Sequence, residues 1–184
     1  MVPMFSVVGY SNSGKTTIIK QLVKHLKEKG YKVAVIKHDP LDHGEVDKRG
    51  SDTQIFFEEG GADTVALSSP SRLTLFSRTS KELSPESIIP LCDEVDCVIL
   101  EGYKGKNYPK ILVLTGAVES DIINKIDKES VIALVFSRTG KTDEEKIIKE
   151  LNKEYTLPQF LDDDVQSIVN FLEKKYFTDI RGGK

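Results

Sequence analysis

Gly9-Tyr10-Ser11-Asn12-Ser13-Gly14-Lys15-Thr16 satisfies the pattern G-x-x-x-x-G-K-[S/T] at every fixed position, between the β-rich run Phe5-Ser6-Val7-Val8 and a stretch of helical periodicity. This junction constrains the fold more than any other feature, because it demands a strand, a tight turn and a helix start in immediate succession. Gly9 and Gly14 let the backbone turn so that successive N–H groups face inward as a nest for phosphate oxygens. The partial positive charge of the helix N-terminus falls at the same point. Lys15 supplies a compact cation for the β and γ phosphates, and the Thr16 hydroxyl is a ligand for Mg²⁺.

The rest of the chain alternates β-rich runs with helical patterns, which reads as parallel βαβ units. Helix 15–29 carries Ile18, Ile19, Leu22, Val23 and Leu26 on one face and ends at Gly30. Strands are expected over 5–8, 33–36, 95–100, 110–114 and 131–136. Their uninterrupted apolar character predicts cover on both faces. Residues 53–59 and a stretch opened by Ser84-Pro85-Glu86 predict short helices, and 142–155 and 163–176 predict two longer ones. Runs 64–67 and 72–76 flank Ser68-Ser69-Pro70-Ser71 and predict an antiparallel hairpin, an excursion at about 68–80. The expected architecture is a three-layer α/β fold with a mainly parallel sheet, one domain over 1–177 and a frayed tail over 178–184.

With 26 Lys plus Arg against 29 Asp plus Glu, the net charge of −3 gives no whole-molecule basic field, so no nucleic-acid partner is expected. The longest apolar runs, such as 131–136, fall far short of the roughly 20 residues that span a bilayer. Cys92 and Cys97 form neither a CxxC pair nor a disulfide framework. A cytoplasmic protein without membrane contact is the expectation.

Further site candidates lie at strand ends, since ligands of open α/β sheets bind at the carboxyl edge. Glu101 ends the run Asp96-Cys97-Val98-Ile99-Leu100 and is followed by Gly102, a position from which a carboxylate can serve Mg²⁺ through water or orient an attacking water. The loop Lys37-His38-Asp39-Pro40-Leu41-Asp42-His43-Gly44 leaves the same edge. There Asp39 can complete the Mg²⁺ shell, and Lys37 or His38 can meet an anion. His38 and His43 as a metal pair is the weaker reading of that loop. Asn124-Lys125-Ile126-Asp127 spells N-K-x-D, the guanine-reading tetrapeptide, but follows a helical rather than a buried-strand pattern and reads as coincidence. The loop Ser137-Arg138-Thr139-Gly140 is the expected source of base contacts.

These segments together resemble the molybdopterin-guanine dinucleotide biosynthesis protein B (MobB) family. The carrying residues are Gly9 through Thr17, Lys37-His38-Asp39, Asp47 with Gly50 to Thr53, Gly60-Gly61-Ala62-Asp63, Glu101-Gly102-Tyr103-Lys104, Tyr108-Pro109-Lys110-Ile111 and Leu161-Asp162-Asp163-Asp164-Val165. The resemblance implies a P-loop NTPase fold, GTP with Mg²⁺, slow hydrolysis and a homodimer. It also implies an accessory role beside the nucleotidyltransferase that attaches GMP to molybdopterin, with molybdopterin itself a candidate ligand. By position, Gly9, Tyr10, Ser11, Asn12, Ser13, Gly14, Lys15, Thr16 and Thr17 would hold the nucleotide, Thr16 and Glu101 would serve Mg²⁺, and Lys104 and Lys110 would lie on loops near the active face. The chain departs from the family at Pro40-Leu41, Gln54-Ile55 and Ser137-Arg138. A metal-delivery GTPase, a small-molecule P-loop kinase and a nucleotide-binding scaffold without turnover are the alternatives.

Overall fold

The computed structural model describes residues 2–42, 44, 47–115, 120–137, 147 and 157–177. His43, the loop residues 138–140, helix 142–155 apart from Ile147, and the tail 178–184 lie outside the described residues. The chain separates into two compact units, residues 1–38 with 92–184, and the inserted residues 39–91.

The first unit is built on six strands: β1 (Met4–Gly9), β2 (Val33–Lys37), β5 (Cys97–Glu101), β6 (Lys110–Leu114), β7 (Val131–Phe136) and β8 (Gln159–Leu161). They pair in the order β2-β5-β1-β6-β7-β8, and every pairing is parallel. Alternation along each strand divides the core in two. Phe5, Val7, Cys97, Ile99, Ile111, Val113, Ala133 and Val135 face helices α1 (Lys15–Glu28) and α5 (Val165–Tyr176), packing on Ile18, Leu22, Leu26, Ile168 and Leu172. Val8, Leu112, Leu114, Leu134 and Phe136 turn to the other face, against Ile122, Ile123, Ile126, Ile147 and Leu157. Ile122 and Ile123 belong to the short α4 (Ser120–Ile123). Strands buried on both faces have no polar alternation to show, which is why the central runs are legible as continuous apolar segments.

The closing helix begins at Val165, with the Asp164 carboxylate accepting from the Ser167 N–H at 3.3 Å. It is tied to the end of α1 by Glu173, which accepts from Lys29 Nζ at 2.5 Å and from the Tyr31 hydroxyl at 3.1 Å. Strand β8 is a departure from the sequence reading. It has three residues behind Pro158 and only Phe160 of them is half-buried, so it carries no apolar run to announce it.

The inserted unit holds α2 (Asp52–Gln54), which widens into a π turn over Ile55–Glu59 closed by the Gly60 N–H on the Ile55 carbonyl at 2.8 Å. The antiparallel pair β3 (Thr64–Ser69) and β4 (Arg72–Ser77) is the expected hairpin. The short α3 (Pro85–Ile88) follows, with Pro85 at its first position as expected. Asp47 accepts from Ser51 Oγ at 3.0 Å, from Thr53 Oγ1 and from the Lys48 N–H at 2.7 Å. These hydrogen bonds, that of Thr53 first, hold its carboxyl below the usual range. Arg78 lies over the Phe57 ring at 4.4 Å and donates to the Phe57 carbonyl at 2.6 Å.

Lys110 corrects one expectation drawn from the family resemblance. It does not sit on a loop but opens β6, with no solvent exposure. Its ammonium donates to the carbonyls of Lys106 and Tyr108 (3.0 Å for Tyr108) and to Ser130 Oγ at 2.7 Å. Burial lowers its pKa, against a smaller opposing pull from Asp127. The cation thus ties the chain ahead of β6 to the turn ahead of β7. We predict that Lys110→Met, which keeps the volume and strands those acceptors, destabilises the protein by about 2–3 kcal/mol, read as a lowered urea midpoint at constant m-value.

Candidate functional site

β1 is the central strand, and its carboxyl end is where the connections diverge, one run leading to β2 and β5 on one side and the other to β6, β7 and β8 on the other. Such a point leaves a crevice in an open α/β sheet. The loop from Gly9 to Gly14 sits there. At Gly9 a Cβ would lie 2.5 Å from Ser13 Oγ and 2.7 Å from the Val113 carbonyl oxygen, so only glycine fits against β6. Asn12 (φ 62°) and Gly14 (φ 83°) take left-handed conformations, and the Ser13 N–H reaches back to the Tyr10 carbonyl at 3.3 Å.

Among the described residues no side chain caps the start of helix α1, and its first turn holds no acid. Its first helical bond runs from the Ile18 N–H to the Gly14 carbonyl at 3.0 Å, so the N–H groups of Lys15, Thr16 and Thr17 have no acceptor one turn back within the helix. By contrast α2 is capped by Ser51 and α5 by Asp164. The uncapped start of this fourteen-residue helix, carrying the positive end of the helix dipole, is suited to an anion.

The charged groups around this start come from two strand ends, the first residue of α1 and one loop. Lys15 Nζ turns onto the loop and donates to the Tyr10 carbonyl. Burial lowers its pKa first, then Lys104; Glu101 pulls it up, and Lys37 again lowers it. Lys15, Lys37, Lys104 and Glu101 therefore share one electrostatic neighbourhood with an excess of positive charge. Lys37 and Glu101 are register partners at the ends of β2 and β5, and the His38 N–H donates to the Glu101 carbonyl at 2.9 Å.

Behind Glu101 the backbone is held tightly. Gly102 (φ 94°) donates its N–H to the Val7 carbonyl, and its own carbonyl accepts from the buried Ser6 Oγ. Tyr103 follows with φ 54°, buried, stacked on the His38 ring at 4.6 Å and meeting Tyr108 edge-on at 5.9 Å. Of the sequence-derived candidates, Gly9 through Thr17, Lys37 and Glu101 gather at this edge. His38 is a stacking partner of Tyr103 in the same unit. Asp39 begins the inserted unit, where its carboxylate accepts from the Gly44 N–H at 2.7 Å. Asn124 to Asp127 follows α4 and leads into the amino end of β7, with the Asp127 N–H donating to the Lys104 carbonyl at 3.1 Å. Ser6 went unremarked in the sequence, although a lone hydroxyl inside a buried strand is a signal that something there must be hydrogen-bonded.

Two glycines should respond to the same substitution for different reasons. Gly9→Ala meets a backbone oxygen and must displace the loop, a cost of about 1–3 kcal/mol. Gly14→Ala meets no atom within 4 Å and pays only for its left-handed conformation, about 1–2 kcal/mol. Denaturant midpoints measure both losses, and backbone amide shifts beyond residues 13–15 are expected for Gly9→Ala alone.

A sequence profile of the family described as molybdopterin guanine dinucleotide synthesis protein B matches residues 4–138. The chain is 30% identical over 139 residues to the probable molybdopterin-guanine dinucleotide biosynthesis adapter protein of Bacillus subtilis (strain 168), covering 74% of this chain and 77% of that one. It is 34% identical over 114 residues to the molybdopterin-guanine dinucleotide biosynthesis adapter protein of Haemophilus influenzae, covering 61% of this chain and 63% of that relative, under two thirds of its length. The crystal structure of Bacillus subtilis MobB aligns with a TM-score of 0.69 at 26% identity, over 94% of this chain and 97% of the other. The parallel sheet with its small antiparallel pair is the P-loop NTPase fold that the resemblance implied. By the extent of the profile match, the chain belongs to the MobB family.

Proposed function

We propose that this protein is a GTP-binding accessory protein of molybdopterin guanine dinucleotide biosynthesis, with slow Mg²⁺-dependent hydrolysis of GTP. The observation that carries the reading is the uncapped start of α1 beneath the Gly9–Gly14 turn, with Lys15 and Glu101 brought to it from separate elements. Its relatives are named adapter proteins of that biosynthesis, which supports the pathway assignment. The N–H groups of the loop and of Lys15 to Thr17 bind phosphate oxygens, and Lys15 neutralises charge on the terminal phosphates. Thr16 and Glu101 are the residues that would hold Mg²⁺; the ion would draw charge from the transferring phosphoryl group. An ion held largely by phosphates, a hydroxyl and one carboxylate is ordinary for Mg²⁺, which keeps several waters. Glu101 orients the attacking water. The protein acts as a cytoplasmic homodimer alongside the nucleotidyltransferase that joins GMP to molybdopterin.

Lys15→Ala removes a charge-assisted contact worth about 1.5–3 kcal/mol, so GTP affinity should drop about 10- to 150-fold in titrations with a fluorescent analogue. Glu101→Gln should still bind GTP yet release phosphate about 100-fold more slowly. Co-purification of the nucleotidyltransferase with the tagged protein from its host tests the pathway role. Its absence, with GTP binding intact, would leave a nucleotide-binding protein outside that pathway.

The lowered pKa of Lys15 gives a pH signature. A bound polyphosphate favours the ammonium and raises that pKa, so binding takes up a proton wherever the unliganded lysine is already losing one. Affinity should therefore decline as pH climbs through the interval below the ordinary value of 10.5. Calorimetry in buffers of different ionisation enthalpy should show proton uptake that is missing in Lys15→Ala.

A further inference from the structure

Strands β5 and β6 pair with opposite edges of β1, so the short segment 102–109 that joins them has to cross β1. It is fastened to β1 at both ends. The Gly102 N–H donates to the Val7 carbonyl at 3.2 Å, the Gly102 carbonyl accepts from Ser6 Oγ, and the Ser6 N–H donates to the Pro109 carbonyl at 2.7 Å. A second set of ties reaches the segment from the turn ahead of β7. The buried Lys110 ammonium holds the Lys106 and Tyr108 carbonyls and donates to Ser130 Oγ. Ser130 Oγ donates in turn to the Asp127 carbonyl at 2.7 Å, and the Asp127 N–H donates to the Lys104 carbonyl at 3.1 Å. The main chain of Lys104 is thus braced from both sides. The N-K-x-D sequence takes part through the backbone of its last residue.

The Lys104 side chain is differently placed. It is half-buried, and its ammonium has no hydrogen-bond or ion-pair partner among the described residues. After burial, Lys104 is the largest influence lowering the pKa of Lys15, ahead of the opposing pull of Glu101 and of the exposed Lys37. Two ammonium groups held near one another repel, and an anion between them reverses the sign of that interaction. Among the described residues every arginine, Arg49, Arg72 and Arg78, lies in the inserted unit, so the first unit brings lysines to the crevice.

We propose that Lys104 binds the terminal phosphate of the nucleotide and sets a preference for triphosphate over diphosphate, with Lys110 and Ser130 as its positioning residues; the inference rests on the nucleotide reading above. In that reading the N–H groups at the start of α1 enclose the inner phosphates, and Lys15 spans the β and γ phosphates. Glu101 orients the attacking water, so the phosphorus under attack faces the end of β5. Lys104 follows Glu101 by three residues on a braced segment and meets the γ oxygens from that side. The contact is charge-assisted and therefore strong. A diphosphate lacks those oxygens and leaves the Lys104 ammonium facing Lys15 with no anion between them.

Calorimetric titration of the full chain with GTP, GDP and inorganic tripolyphosphate, in excess Mg²⁺, tests the assignment. Lys104→Met should weaken GTP about 10- to 150-fold and GDP less than about threefold, whereas Lys15→Ala weakens both. Lys104→Arg keeps the cation and should restore most of the margin of GTP over GDP. Ser130→Ala cuts the brace outside the crevice and should narrow that margin about three- to tenfold with the GDP affinity held. A merely structural role would lower the urea midpoint and leave the margin unchanged, which would overturn the positioning role. If Lys104→Met weakens GTP and GDP alike, or neither, the γ-phosphate assignment fails while the nucleotide reading stands. If the parent protein binds neither GTP nor tripolyphosphate, both readings fall together.

Discussion

The organisation of the larger unit depends on one unsatisfied helix start. Fourteen residues of α1 end, at the N-terminal side, in amide N–H groups that no side chain among the described residues caps. What makes this tolerable is placement. The helix is clamped along its apolar face by Ile18, Ile19, Leu22 and Leu26 in the same cluster as β1 and α5. Its geometry therefore does not depend on a cap worth about 1 kcal/mol. Gly9, pressed against the Val113 carbonyl, and the left-handed Asn12 and Gly14 then turn the backbone from strand to helix within a few residues. The anion cradle follows from packing below it and conformational permission at those points.

Two lysines show how the same side chain is put to different uses. Lys110 is buried and spends its three donors on two carbonyls and Ser130, so it organises chain. Lys15 lies at the crevice with Lys37 and Lys104 nearby and Glu101 opposing them. Burial lowers the pKa of both, but only the second stands among like charges. That imbalance favours an incoming anion, and it arises from residues on β2, α1 and the segment after β5, which are far apart in sequence. Behind them, Ser6 on Gly102 and His38 stacked on Tyr103 hold the backbone that carries Glu101, together with the His38 N–H on the Glu101 carbonyl.

Much of this was legible beforehand. The motif with its flanking strand and helix announced the loop, Lys15 and Thr16, because local backbone requirements select those residue types in that order. The central strands were legible because burial on both faces removes polar residues from them. The hairpin was legible from its turn residues. Short β8 was not, since an edge strand of three residues is made by its neighbour β7 rather than by its own sequence. Nor could spacing separate Lys104 from Lys110, two basic residues in one segment, of which only the first lies beside Lys15.

The sequence alone determined the strand–loop–helix junction, the apolar strands and the residue types that can hold phosphate, because each of these is a property of neighbours along the chain. Tertiary structure decided which distant residues meet that junction. The parallel order β2-β5-β1-β6-β7-β8 brings Lys37 and Glu101 to one edge of it and the turn at Asp162 and Asp163 to the other. It also buries Lys110 and leaves Ser13 and Gln21 with oxygens unpaired among the described residues. Strand order and burial come from the packing of the whole core, and no local pattern encodes them.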